Sequence, residues 1–174
     1  QINRNSAANS NVGNATSFSQ TQDGFLQKVQ KSLDRMSEVA TLATDVTKTV
    51  TDSSNYTVEF TQLKNYISNV TTKEFNGVSL FSTNVLGVTI DGCETTFGMT
   101  SITIGEGLST GGLSDAYASI SISDSASSAS ACEYIKSAIQ NLAAMRANVG
   151  ANIQRLNLSS EQLTILNENL AAAN

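Results

Sequence analysis

The side chains that most often carry out chemistry in proteins are scarce in this sequence. The chain has 174 residues and no histidine, which is the commonest general base and metal ligand. Its two cysteines, Cys93 and Cys132, form no Cys-x-x-Cys pair, and without histidine they are too few for a structural zinc site. We therefore predict no enzyme activity, no catalytic residue, no bound metal and no cofactor.

A glycine-rich stretch from Gly105 to Gly112 is the segment most like a phosphate-binding loop. No Gly-Lys-Ser or Gly-Lys-Thr follows it, although the lysine and the hydroxyl are what hold the phosphates and the magnesium ion in such loops. We interpret this stretch as a flexible turn.

Charge and hydropathy exclude two further classes of partner. Ten basic and 15 acidic residues give a net charge of −5, and neither sign forms a long run. This balance argues against binding to nucleic acid or to an anionic membrane. No stretch approaches the roughly 20 consecutive apolar residues that a membrane span needs, and the polar start of the chain has no signal-peptide pattern.

The first part of the chain has the spacing of a long packed helix. The sequence contains no proline, which would cost about 3 kcal/mol inside a helix. Apolar and small residues recur in alternating steps of three and four, as in a heptad-type seam. They are Leu26, Val29, Leu33, Met36, Ala40, Ala43, Thr47 and Val50, and the same phase continues backward through Gln22, Ser19, Ala15, Val12 and Ala8. We predict one helix over residues 7–50.

Two more helices are predicted from the same kind of spacing. Cap-forming side chains at residues 51–55 precede a seam of Tyr56, Phe60, Leu63, Ile67 and Val70. This predicts a helix over residues 53–72, antiparallel to the first because the connection is short. A third helix, over residues 124–173, carries Ile135, Ile139, Leu142, Val149, Ile153, Leu156, Leu163 and Leu170.

Cys132 lies on the seam of this third helix and is predicted to be a buried small apolar residue. We predict that Cys93 is more exposed and that no disulfide joins the two cysteines.

Between the second and third helices the apolar period changes to two. The pattern comprises Val88 and Ile90, Phe97 and Met99, Ile102 and Ile104, and Ile120 and Ile122. These pairs predict short strands, and Asp91-Gly92 predicts a two-residue type I′ hairpin turn.

These elements predict a mainly α chain with a small β region, an α+β fold. We expect an elongated antiparallel bundle of three long helices with short β-hairpins at one end. Residues 1–77 and 123–174 form the helical rod domain, and residues 78–122 form a short variable hairpin and loop region of the same domain.

Over nearly its whole length the sequence resembles bacterial flagellin, and three blocks carry the resemblance. They are SFSQTQDGFL and LDRMSEVA at residues 17–26 and 33–40, YTVEFTQL and EFNGVSLF at 56–63 and 74–81, and RANVGA, Arg155-Leu156 and ENLAA at 146–151, 155–156 and 168–172. Phe-Asn-Gly after the second helix and Arg-x-x-x-Gly-Ala in the third are specific in this order and spacing.

The resemblance implies a structural subunit that polymerises into the flagellar filament and serves motility. It implies other subunits, an export chaperone and a capping protein as partners, export through the flagellar type III apparatus without a cleavable signal peptide, and an extracellular location. Flagellins normally have further terminal helices that form the inner tube of the filament. Without them we expect a core rod fragment, without large outer domains, that is monomeric in solution.

The resemblance also implies a receptor-binding surface. In similar flagellins the flagellin-sensing Toll-like receptor of animals docks on the rod around an Arg in the first helix and a Glu in the second. These positions fall on Arg35 and Glu59, with Val39 at a neighbouring position that is usually Leu. Without the resemblance, such charges are ordinary surface groups that form weak ion pairs.

Two alternative functions stay open. A hook-filament junction protein shares the helical terminal halves, although the Phe-Asn-Gly block favours flagellin itself. A flagellin-like surface adhesin or polysaccharide-binding protein would use the β region, but residues 84–123 contain only Phe97 and Tyr117 as aromatic residues.

Overall fold

The computed structural model describes residues 1–91, 95–104 and 120–172. Within them the chain forms three helices: α1 (Ile2–Ala43), α2 (Val50–Val70) and α3 (Ser125–Ala172). It also forms four short strands: β1 (Glu74–Phe75), β2 (Val78–Ser79), β3 (Leu86–Thr89) and β4 (Thr96–Met99). The strands make two antiparallel hairpins, β1 with β2 and β3 with β4. The predicted fold class, mainly α with a small β region, is confirmed.

The seam predicted for the first helix lies in the core. Leu33 and Met36 are fully buried, and the seam stays buried backward as far as Ala8. The predicted start at residue 7 is wrong, because Asn5 is also buried and its N–H donates to the carbonyl of Gln1 at 3.0 Å. The seam therefore continues for one more turn.

The first helix also ends before the predicted residue 50. Asp45 Oδ1 accepts hydrogen bonds from the N–H and the hydroxyl of Thr47, at 2.9 and 2.7 Å, and so forms a turn. Thr49 and Asp52 then make a capping box, in which each side chain accepts the backbone N–H of the other. Val50 is consequently the first residue of α2 and is 87% exposed, not the last residue of the first seam.

α2 packs along α1 in the opposite direction and buries Phe60, Ile67 and Val70. Its bounds correct the predicted range of residues 53–72. The helix begins earlier because of the capping box, and it ends where the hydroxyls of Thr71 and Thr72 donate to carbonyls of its last turn.

α3 follows α1 along its length in the opposite direction. Three contacts fix this orientation: Ser125 to the Thr44 carbonyl, Arg146 to Asp23, and Ser160 to Asn9. The predicted range of residues 124–173 differs by one residue at its start, where Asp124 Oδ1 caps the helix by accepting the N–H of Ser127 at 2.8 Å. Residue 173 lies outside the described part of the chain.

Cys132 is not the buried seam residue that was predicted. It is partly exposed, because Ala131 occupies the seam position, and its Sγ lies 3.7 Å from the hydroxyl oxygen of Thr41. Cys132 is a free thiol among the described residues, and Cys93 lies outside them.

The hairpins differ in detail from the predicted strands. A two-residue turn at Asp91-Gly92 would pair residue 90 with residue 93, but the N–H of Ile90 donates to the Thr95 carbonyl at 2.9 Å. The connection therefore spans residues 91–94, and residues 92–94 lie outside the described part. The true two-residue turn is Asn76-Gly77, with φ of 50° and 77°, values that favour glycine at the second position.

Two of the four predicted strands do not form among the described residues. Ile102, Ile104, Ile120 and Ile122 are buried, yet no strand includes them. Burial alternates along residues 101–104 and 120–123, which is enough to produce the period of two without a hydrogen-bonded neighbour. The glycine-rich stretch lies within residues 105–119, outside the described part.

Three regions of the molecule are distinguished below. The upper rod comprises α2 with residues 22–43 of α1 and residues 125–149 of α3. The lower rod comprises residues 2–15 of α1 and 156–172 of α3, beyond the end of α2. The β module comprises residues 74–91 and 95–104.

In the described residues, no helix combines the length and the apolar character needed to cross a membrane.

Candidate interaction site on the helical rod

The two charged residues expected at a partner-binding surface meet on the upper rod. Arg35 on α1 and Glu59 on α2 form a two-pronged ion pair, with Nε donating to Oε1 at 2.5 Å and Nη2 donating to Oε2 at 3.0 Å. The planar guanidinium fits a carboxylate in this parallel arrangement. The hydrogen bond from Arg35 is the main cause that lowers the pKa of Glu59, and the same bond raises the pKa of Arg35.

A third charge, which the sequence analysis missed, completes this group. Glu38 Oε2 lies 2.7 Å from Nη1 of Arg35, three residues away on the same helix. The side chains of Arg35, Glu59 and Glu38 are 43%, 38% and 60% exposed. The spacing of three residues on a predicted helix was the signal that could have identified Glu38. We call Arg35, Glu38 and Glu59 the charged triad.

Val39 does not share this surface. Its exposed fraction is zero, so it lies beneath the triad in the core of the upper rod. The structure gives Val39 a buried position beside Glu38 on α1, and its part in a receptor surface stays a prediction. Only Arg35 and Glu59 of the three expected residues are brought together at the surface.

The triad is suited to recognition and not to bond-making. It carries two carboxylates and one guanidinium, so it presents a net negative charge with directional acceptors. No group of three or more Cys, Asp or Glu residues close enough to hold a metal ion exists in residues 1–91, 95–104 and 120–172. The surface can therefore offer a partner complementary hydrogen bonds and charge.

A second charged contact, also missed from the sequence, links α1 to α3. Nε of Arg146 donates to Oδ1 of Asp23 at 2.9 Å, and Gln27 Nε2 donates to Oδ2 at 2.6 Å. Partial burial raises the pKa of Asp23, but these hydrogen bonds and the charge of Arg146 outweigh it and leave the pKa lowered. The two residues are 123 positions apart, so no local spacing could have paired them.

Comparison with known proteins shows what this rod is similar to. The family model for the "Bacterial flagellin N-terminal helical region" matches residues 1–85, which contain α1, α2 and the first hairpin. The crystal structure of Bacillus cereus flagellin is 28% identical and superposes with a TM-score of 0.77, covering 95% of each chain. The chain is therefore similar to bacterial flagellin in both sequence and fold.

Two further relatives define how far the family likeness extends. The "Flagellar filament 30.7 kDa core protein" of Treponema maltophilum is 27% identical over 187 residues. The alignment covers 99% of this chain but 65% of that relative, so the chain spans about two thirds of its length. A putative flagellar hook-associated protein from Vibrio parahaemolyticus superposes with a TM-score of 0.78 at 14% identity, covering 99% of this chain and 92% of that chain. That likeness concerns the fold alone.

Proposed function

We propose that the chain is a structural subunit of a bacterial flagellar filament, which self-assembles for motility and has no catalytic role. The observation that carries the proposal is the agreement with Bacillus cereus flagellin over 95% of both chains. The filament protein of Treponema maltophilum supports it at 27% identity. The hook-associated protein has a similar fold at only 14% identity, so filament formation is favoured over a hook-filament junction role.

The same proposal includes the partners and location of such a subunit. Copies of the chain pack against one another in the filament, and an export chaperone and a capping protein act on the subunit before and during assembly. The filament lies outside the cell and its subunits leave through the flagellar type III apparatus. Association at high local subunit concentration stabilises the folded form by mass action.

The adhesin alternative is weakened by the β module. A polysaccharide-binding face needs exposed aromatic rings, yet Phe97 is only 7% exposed and is covered by the guanidinium of Arg155, 4.3 Å from the ring centre. Tyr117, the other aromatic residue in this part of the sequence, lies outside the described residues.

A chimera tests the filament proposal directly. Residues 1–174 would replace the matching rod segment of Bacillus cereus flagellin in cells that lack their own flagellin. We expect filaments by electron microscopy and restored swimming. A matched chimera carrying Leu33→Asp should give neither, because a charge would be buried in the seam. A chimera that is exported and folded but never assembles into filaments would contradict the proposal.

We infer a second function for the charged triad, as part of the surface that the flagellin-sensing Toll-like receptor of animals contacts. Two observations support it: Arg35 and Glu59 lie side by side, and both remain partly exposed to solvent. Arginine is over-represented among the residues that dominate protein interfaces. Val39 contributes by packing beneath the triad, since it is fully buried.

Reporter cells that express the receptor test this inference. Arg35→Ala and Glu59→Ala should each raise the half-maximal concentration of the chain by about tenfold or more. Lys136→Ala, which removes an exposed charge from α3, serves as the matched control and should change little. Equal activity of the unmodified chain and its three variants would exclude the triad from the receptor surface, whatever the outcome of the filament experiment.

A further inference from the structure

The α1 side of the lower rod has small and polar seam residues. On α1 the buried positions there are Asn5, Ala8, Val12 and Ala15, whereas the upper rod buries Leu26, Leu33 and Met36. The large apolar side chains of the lower seam, Leu156 and Leu163, come from α3 alone. Small and polar side chains on one helix form shallow holes that discriminate less well between alternative registers of two helices, so other contacts can add to the register of α1 against α3 in this region.

The β module contacts α1 through a buried amide. Gln22 is 5% exposed, and its Nε2 donates to the carbonyl of Leu80 at 2.6 Å, directly after the first hairpin. The ring of Phe18 meets the edge of Phe75 nearby, with ring centres 6.0 Å apart. Phe25 makes a second edge-on contact with Phe81, with ring centres 6.5 Å apart, and the Ser19 hydroxyl donates to Sδ of Met99 at 3.7 Å. The module is therefore fixed to α1 by the amide bond together with these aromatic and hydroxyl contacts.

The opposite side of the β module is held by α3 through a second buried amide. Asn152 is 3% exposed and pairs with both backbone groups of Thr100. Its Oδ1 accepts the Thr100 N–H at 3.2 Å, and its Nδ2 donates to the Thr100 carbonyl at 3.3 Å. Three residues later, Arg155 lies over the ring of Phe97. Because the partners of both amides are backbone groups, each amide specifies a position along the helix.

We propose that the β module is a clamp that sets the register of α1 against α3 in the lower rod, with Gln22 and Asn152 as its two amide attachment points. The two amides lie just above the lower rod, where α2 has ended and no third helix constrains the pair. A contact between Ser160 Oγ and Asn9 Oδ1, at 2.7 Å, lies farther down the rod and depends on the register set above it. This proposal concerns the folded chain and does not rest on filament formation.

Distances between paired spin labels in the full chain test the clamp. One label pair, at Asn11→Cys and Gln162→Cys, reports on the lower rod, and another, at Lys31→Cys and Lys136→Cys, reports on the upper rod; all four positions are exposed. Both native cysteines would be replaced by serine. In the double variant Gln22→Ala, Asn152→Ala we expect the lower-rod distance distribution to broaden or shift, by about 1.5 Å for one residue to about 5.4 Å for one turn. The upper-rod distribution should stay unchanged.

Matched substitutions separate the clamp from a general loss of stability. Gln20→Ala and Asn148→Ala remove the same groups from exposed positions on the same helices, and they should leave both distributions unchanged. If the double variant fails to fold by circular dichroism, the two single variants are measured instead, with a smaller broadening expected. A folded variant whose lower-rod distribution matches that of the parent would overturn the proposal.

Discussion

The two halves of the rod solve the same packing problem with different means. In the upper rod, α2 lies along α1 and the seam consists of large aliphatic side chains with no exposed surface, such as Leu26 and Leu33. In the lower rod α1 contributes alanine, valine and asparagine to the seam and α3 contributes Leu156 and Leu163. Just above it, buried amides tie both helices to the β module. A long helix pair can therefore keep one continuous seam while the apolar share of one helix falls and directional hydrogen bonds are added beside it.

The largest expected effect comes from truncating matched leucines in the two regions. Leu33→Ala in the upper rod should cost toward the upper end of about 2–5 kcal/mol in the free energy of unfolding, because three elements surround the cavity and prevent its collapse. Leu163→Ala, on α3 of the lower rod, should cost toward the lower end, since two helix ends can close together. Both residues are buried, at 0% and 3% exposure.

Urea denaturation monitored by circular dichroism measures both losses. Equal losses would mean that the lower rod is packed as rigidly as the upper rod, and the contrast between the two halves would then fail. A variant that also changes the slope of unfolding against urea would show that the two halves have stopped unfolding together.

The sequence predicted the upper rod well because large apolar residues report helical periodicity directly. Every upper-rod seam position from Leu26 to Ala40 is buried as expected, and the same phase stays buried back to Ala8 in the lower rod, where its residues are smaller. The errors fall where local hydrogen bonding competes with periodicity: Val50 kept the phase of the first seam, but the capping box of Thr49 and Asp52 placed it in the next helix. Ile102 and Ile120 follow the two-residue spacing that is typical of strands and are buried, but neither belongs to a strand.

The interaction site was only partly accessible from the sequence. Arg35 and Glu59 were proposed from the family resemblance, and their ion pair requires the antiparallel arrangement of α1 and α2 that the short connection predicts. The burial of Val39 depends on how closely α2 approaches α1, which spacing alone does not fix. Gln22 was placed on the seam, but its carbonyl partner is 58 residues away, so its role needed the tertiary structure.

A smaller effect should follow from removing the cap of α2, the helix that distinguishes the upper rod. Thr49→Ala removes the side-chain acceptor for the Asp52 N–H and should cost about 1 kcal/mol, within the usual range of about 0.5–2 kcal/mol. Thr61→Ala, in the exposed middle of the same helix, is the control and should be nearly neutral. Alanine has the higher helix propensity, so a loss at Thr61 as large as that at Thr49 would show that the loss at Thr49 is not specific to the cap.

The smallest expected effect is a change in the acid sensitivity of the contact between Asp23 and Arg146, at the lower end of the upper rod. Folding lowers the pKa of Asp23, so its carboxylate adds stability above the unfolded pKa of about 4, and that stability is lost as the pH falls through the lower folded value. Asp23→Asn should therefore be less stable than the parent at neutral pH and should lose less stability below about pH 4. Gln27→Ala keeps the charge pair and should retain most of the acid sensitivity. Urea denaturation at a series of pH values decides the point: if Asp23→Asn and the parent have parallel pH profiles, other carboxylates carry the acid sensitivity and this contact adds no pH-dependent stability to the upper rod.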